Sequence, residues 1–210
     1  MTCPTKILPK FGLGYFQSGS YAHYAERKPR YLRMAREIES CLRLHKLINC
    51  NSTLLDFGCG FGFLATGLAD MGYSVSGYEV SREARKQAEI NDVHMIDFAH
   101  QDFDFVIALD VLEHMRDAEI SRSFSVFRSG YALVRIPCAR PNEKEFFLEV
   151  SRTDPTHINC KDKSGWFKMF RRLGFQFFTA LDLCTIYDEI GVLAGIFSRD
   201  PLRLHRTESR

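Results

Sequence analysis

The chain has no stretch of about twenty apolar residues, so no membrane span is expected. Its first residues, Met1-Thr-Cys-Pro-Thr-Lys, contain no apolar signal-peptide core. It has no C-x-x-C pair, and its seven cysteines (3, 41, 50, 59, 138, 160 and 184) are odd in number. His157-x-x-Cys160 has a ligand-like spacing but no second pair, which argues against a structural zinc site. Free thiols in a reducing cytoplasm are therefore expected. An excess of one charge is also missing: 28 Lys and Arg face 26 Asp and Glu, for a net charge of +2. That balance makes no electrostatic case for a nucleic-acid partner. Internal repeats and low-complexity segments are absent. The locally basic end, residues 199–210, reads as a frayed tail.

What is present is an ordinary globular balance, 45% hydrophobic and 26% charged, with 18 phenylalanines. A length of 210 residues suits one domain with one sizeable core. Residues 1–25 are aromatic and glycine-rich without a clear period and read as loop. The spacing of Leu32, Ala35, Ile38 and Leu42 predicts an amphipathic helix over 29–48, with Pro29 at a first helical position. From there strands and helices alternate. Strands are expected at 53–57, 73–79, 93–98, 103–109, 131–136, 175–179 and 192–197. Helices are expected at 63–71, 81–90, 117–128 and 164–173, with Ser81 as a cap. This alternation implies a Rossmann-like α/β fold, a mostly parallel seven-stranded sheet with helices on both faces. The expected division is a lid and cap helix over 1–48, a ligand-binding domain over 49–198 and the tail.

The most informative residues are Leu54-Leu-Asp-Phe-Gly-Cys-Gly-Phe-Gly62. A buried strand ends there in alternating glycines and a helix begins. Glycine lets backbone approach a ligand closely, and the first N–H groups of a helix have no internal partner. Two readings fit. Gly60-x-Gly62-x-x-Ala65, with Glu79 nineteen residues after Gly60, satisfies the permissive dinucleotide fingerprint. The fuller string says more.

Asp56-Phe-Gly58-Cys59-Gly60-Phe-Gly62 resembles the first motif of class I S-adenosylmethionine-dependent methyltransferases. The resemblance continues through Val75-Ser-Gly-Tyr-Glu79-Val80-Ser and Phe103-Asp-Phe-Val-Ile-Ala-Leu-Asp110-Val-Leu-Glu113-His114-Met, and covers residues 53–136. It implies S-adenosyl-L-methionine as cofactor, with Glu79 on the ribose hydroxyls, Asp56 near the ammonium group, and Gly58, Cys59, Gly60, Gly62, Val80 and Asp110 around the ligand. The family's acidic residue for the adenine amino group falls on Asp97 or Asp102, with Asp97 preferred, and Phe98 is placed to stack on adenine.

The acceptor half is less legible. His114, after the fourth strand, and His157, in Arg152-Thr-Asp154-Pro-Thr-His157-Ile-Asn159, are the candidate general bases. Each has a plainer role as a loop-organising or capping histidine. Asp154 and His157 alone are too few for a metal site, so none is expected. Leu109-Asp-Val-Leu-Glu113 stands where an Asn-Pro-Pro-Tyr type of motif would follow the fourth strand. Cys138 lacks the companion cysteine that pyrimidine C5 methylation needs, and reads as a small buried residue. Aromatics at Tyr15, Phe16, Tyr21, His23 and Tyr24 form a candidate lid or an edge cluster. Arg135, Arg140, Lys144, Arg152 and Arg171 hint at an anionic small-molecule acceptor, or form a solvated face. The best reading is a methyltransferase of a small molecule, O-methylation favoured. Protein or RNA methylation, a nicotinamide-dependent oxidoreductase and a silent cofactor-binding protein stay open, as does the oligomeric state.

Overall fold

The computed structural model describes residues 23–200. The candidate lid residues Tyr15 and Tyr21 and most of the basic tail lie outside them. A 3-10 turn at Tyr24–Arg27 leads into α1 (Lys28–Leu44). Then follow β1 (Thr53–Phe57), α2 (Phe63–Ala69), β2 (Ser74–Tyr78), α3 (Arg82–Ile90), β3 (His94–Met95) and β4 (Gln101–Leu109). A second 3-10 turn, Leu112–His114, precedes α4 (Asp117–Val126) and β5 (Phe127–Pro137). Short α5 (Glu149–Arg152), α6 (Lys163–Arg172), β6 (Gln176–Ala180) and β7 (Val192–Ser198) complete the described chain.

The seven strands form one sheet in the order β3-β2-β1-β4-β5-β7-β6. Pairing is parallel from β3 to β5, and β7 is antiparallel to both β5 and β6. Strand order reverses between β1 and β4, and ligands of such sheets gather beyond the carboxyl ends at that switch point. Alternating side chains supply both faces. Leu55, Val106, Ala108 and Val134 pack with Phe124 of α4 and Trp166 and Phe170 of α6. Leu54, Phe105, Ile107 and Leu133 pack on the other face with Ile38 and Leu42 of α1 and Leu64 and Leu68 of α2.

Boundaries differ from expectation where tertiary contacts take over. The helix expected through Arg128 stops at Val126, because Phe127 and Arg128 already pair with Gln101 and Asp102. Phe127 is buried against Phe57, Tyr78 and Phe98. The strand expected over 93–98 shrinks to two residues, since Phe98 turns inward to that cluster. The helix α1 ends at Leu44 because Lys46 takes a left-handed φ of 55° and Leu47 returns to the core. Ser81 does cap α3, accepting from the Ala84 N–H at 3.2 Å.

Candidate active site

One cavity of about 620 Å³ opens beyond the carboxyl ends of β1, β2, β4 and β5. Its first wall is the glycine turn after β1. The Gly58 and Cys59 N–H groups donate to the Tyr78 carbonyl at 2.8 and 3.1 Å, so the turn leans onto the end of β2. There the Glu79 carboxylate accepts from the Gly60 N–H at 2.9 Å and from the Ser81 N–H at 2.7 Å. A carboxylate has about four acceptor positions, so these backbone donors leave acceptor capacity for a ligand. Burial pushes the Glu79 carboxyl up from its ordinary value, and the backbone donors oppose that shift. Gly60 has φ +56°, and a Cβ there would lie 2.6 Å from the Tyr24 hydroxyl, so this cradle requires bare backbone.

Asp56, at the end of β1, is only 4% exposed. The Ala65 N–H bonds it, yet its Oδ2 has no hydrogen-bond partner. Burial, opposed by the Ala65 bond and reinforced by Glu79, pushes its pKa up to about 7. An orphaned buried carboxylate oxygen beside a cavity fits a cationic ligand group. Tyr78, Val80 and Phe98 are among the cavity's apolar lining, with Val80 54% exposed. Phe98 packs on Tyr78 at 5.8 Å, and Arg122 lies over its ring at 5.2 Å.

Polar side chains also line the cavity beyond β4 and β5. Asp110 follows β4 with φ +55°, and pairs with Arg135 of β5 through Oδ1 at 2.8 Å and through Oδ2. Glu113, His114, Asp154 and His157 line the same side, with Tyr24, Arg27 and Arg30 at the N-terminal side. Burial first, then the neighbouring His157, lowers the His114 pKa to about 4. Burial also lowers that of His157, against the pull of Asp154.

The structure therefore gathers Asp56, Gly58, Cys59, Gly60, Glu79, Val80, Phe98, Asp110, His114 and His157 around one space. Gly62 sits just behind, as the left-handed N-cap of α2. Asp97 is not among the lining residues: its side chain is 90% exposed and meets Arg85 at 3.2 Å. Arg140 is exposed and lies over the Phe147 ring at 4.4 Å, away from the cavity. His23 is likewise exposed and bonds Glu26, while its neighbour Tyr24 is buried and lines the cavity. Cys138 is fully buried, its thiol pushed up to about 12 by burial. Tyr31 and Arg30 also line the cavity and Arg135 pairs with Asp110, residues distant in the chain that follow no local motif.

No curated protein matches the chain. Solved structures share its fold. A magnesium protoporphyrin IX methyltransferase from Synechocystis PCC 6803 with bound SAH is 17% identical, over 88% of this chain and 91% of that one, with TM-score 0.58. An S-adenosylmethionine-dependent methyltransferase from Clostridium acetobutylicum is 14% identical over 85% and 97%, with TM-score 0.61. CalO1, a methyltransferase in calicheamicin biosynthesis solved with SAH, is 12% identical over 86% and 56%, with TM-score 0.56. The model of the methyltransferase domain family matches residues 21–180, and the chain belongs to that family.

Proposed function

We propose that this methyltransferase uses S-adenosylmethionine and methylates a small molecule, on oxygen by preference. The observation that carries the reading is the pairing of a ligand-facing Glu79 carboxylate with the orphaned Asp56 Oδ2 across the glycine turn. The spacing of chemistry suits the cofactor. Glu79 keeps acceptor capacity for ribose hydroxyls, Val80 and Phe98 offer apolar surface for a purine, and Asp56 offers charge to an ammonium group. The cofactor supplies an electrophilic methyl on a sulfonium that departs as a neutral thioether.

The protein then has to align an acceptor with that methyl and deal with the acceptor's proton. Asp110 and Arg135 hold each other on this side, and Arg27, Arg30 and Arg122 also line the cavity that an anionic acceptor would enter. His114 and His157 face the same space as neutral imidazoles, but burial makes both weaker bases than free histidine. The magnesium protoporphyrin and calicheamicin enzymes are named for small-molecule chemistry, which supports an acceptor of that kind.

Methyl-labelled cofactor with extract separated into metabolite, protein and RNA fractions tests the acceptor class. Label is expected in the metabolite fraction, in an alkali-stable ether or a labile ester. Label confined to protein or RNA overturns the reading.

A second expectation concerns pH. Asp56 must be ionised to hold an ammonium group, and its pKa is about 7. Below that, binding must first remove a proton, so affinity for S-adenosylhomocysteine falls by about tenfold per pH unit. Above it, affinity levels off. Titration calorimetry from pH 5.5 to 8.5 reads this directly. A flat profile removes Asp56 from the ammonium site.

A further inference from the structure

Glu113 carries an observation that methyl transfer alone does not use. It is 0% exposed, and neither carboxylate oxygen has a hydrogen-bond partner. Such an orphaned carboxylate is costly. Its surroundings are not apolar. Glu113 Oε1 lies 4.0 Å from His114 Nε2 and 3.9 Å from His157 Nε2. The two rings meet edge to face with centroids 4.6 Å apart. The three donor atoms lie within 4.8 Å of one another.

The chain holds this arrangement deliberately. The Glu113 carbonyl accepts the Ile158 and Asn159 N–H groups, both at 2.9 Å. That clamps the loop carrying His157 onto the turn carrying His114. The outer nitrogens are occupied. His157 Nδ1 lies 3.0 Å from the Ser151 carbonyl, which can only accept, so Nδ1 carries the proton and Nε2 the lone pair. His114 Nδ1 lies 2.9 Å from Thr156 Oγ1 and 3.2 Å from the Thr156 carbonyl. The Thr156 hydroxyl spends its proton on Asp154 Oδ1 at 2.5 Å, so His114 Nδ1 is again the donor and Nε2 again bears the lone pair. Backbone-anchored Nδ1–H with an inward Nε2 lone pair is how metal-ligating histidines are oriented. Asp154 Oδ2, 3.7 Å from His157 Nε2, brings a second carboxylate to the rim.

We propose that Glu113, His114 and His157, with Asp154 at the rim, bind one divalent transition-metal ion whose open positions face the cavity. Ligand bonds of about 2.0–2.2 Å place donor atoms about 3–4 Å apart, so small side-chain rotations close the set. Two imidazoles with carboxylate suit zinc, manganese, iron or cobalt, whereas magnesium and calcium take mainly oxygen. The cation balances the charge on Glu113.

This deepens the methyltransferase reading and rests on it for the substrate. The acceptor is a hydroxyl compound that presents an oxygen to the cation. The cation favours loss of the hydroxyl proton to water. The oxygen then forms the new O–CH3 bond with its lone pair, and the C–S bond breaks with its electrons kept by sulfur.

The test uses the full chain, stripped with chelator and without cofactor. Titration with Co²⁺ is expected to give one visible-absorbing ion per chain, displaced by Zn²⁺. Isosteric Glu113→Gln and, independently, His157→Ala are expected to weaken Co²⁺ binding by tenfold or more. His94→Ala, at an exposed histidine on β3, leaves it unchanged. No Co²⁺ spectrum, or one that Glu113→Gln leaves intact, overturns the proposal. S-adenosylhomocysteine titrated into the same metal-free protein separates the two claims. If it binds and Co²⁺ does not, the metal site alone fails. If Co²⁺ binds and it does not, the site stands and the cofactor reading fails.

Discussion

Glu79→Ala is expected to weaken S-adenosylhomocysteine binding by roughly 100-fold or more while the protein stays folded. Hydrogen bonds to a charged group contribute about 1.5–3 kcal/mol each, and two ribose hydroxyls on one carboxylate make two of them. The same carboxylate also anchors the Gly60 and Ser81 N–H groups, so the loss includes some loosening of the turn. Stability changes little by comparison, because both N–H groups lie beside an open cavity where water replaces the carboxylate. Titration calorimetry measures the affinity, and far-ultraviolet circular dichroism with a thermal melt checks the fold. Unchanged affinity in a folded variant would remove Glu79 from the cofactor site.

Gly62→Ala tests the turn itself, and here the expected loss is in stability. Gly62 has φ +77°, and a Cβ there would lie 2.4 Å from Val93 Cγ2 and 3.3 Å from the Ala88 backbone Cα. A left-handed non-glycine residue costs about 1–2 kcal/mol. Overpacking against a short, buried, branched side chain costs about 1–3 kcal/mol more. The sum lowers the melting temperature by about 4–20 °C for a domain of this size. Gly72→Ala separates the two contributions, since Gly72 has φ +90° but nothing within 4 Å of its added Cβ. The expected result is a clearly larger loss for Gly62→Ala than for Gly72→Ala. Equal losses would mean that α3 and Val93 give way, and that the turn is not held by packing.

These two positions also mark how far the sequence could be read. Asp56, the alternating glycines and Glu79 are close in the chain and separated by one helix, so their convergence follows from β-α-β connectivity alone. Asp110 and Glu113-His114 were visible for the same reason, at the end of the neighbouring parallel strand. The loop partner of that turn was not. His157 reaches Glu113 only because the Ile158 and Asn159 N–H groups dock on the Glu113 carbonyl, a contact without a sequence pattern. With Glu113 missing from the ligand count, Asp154 and His157 looked too few to hold a metal. Asp97 misled for a related reason. It follows the two-residue β3, and its side chain swings out to Arg85 while Phe98 takes the inward direction. Arg128 is a third case: helical propensity extends through it, but β4 begins early enough to claim it as a strand partner of Asp102.

The glycine turn alone satisfies both fingerprints, but with Asp56 and Glu79 the proposed site is one for S-adenosylmethionine and not for a dinucleotide. Isothermal titration of the full chain with S-adenosylhomocysteine and, separately, with NAD decides between them at pH 8, where Asp56 is ionised. One S-adenosylhomocysteine bound per chain and no measurable heat from NAD are expected. Saturable binding of NAD with none of S-adenosylhomocysteine would contradict it.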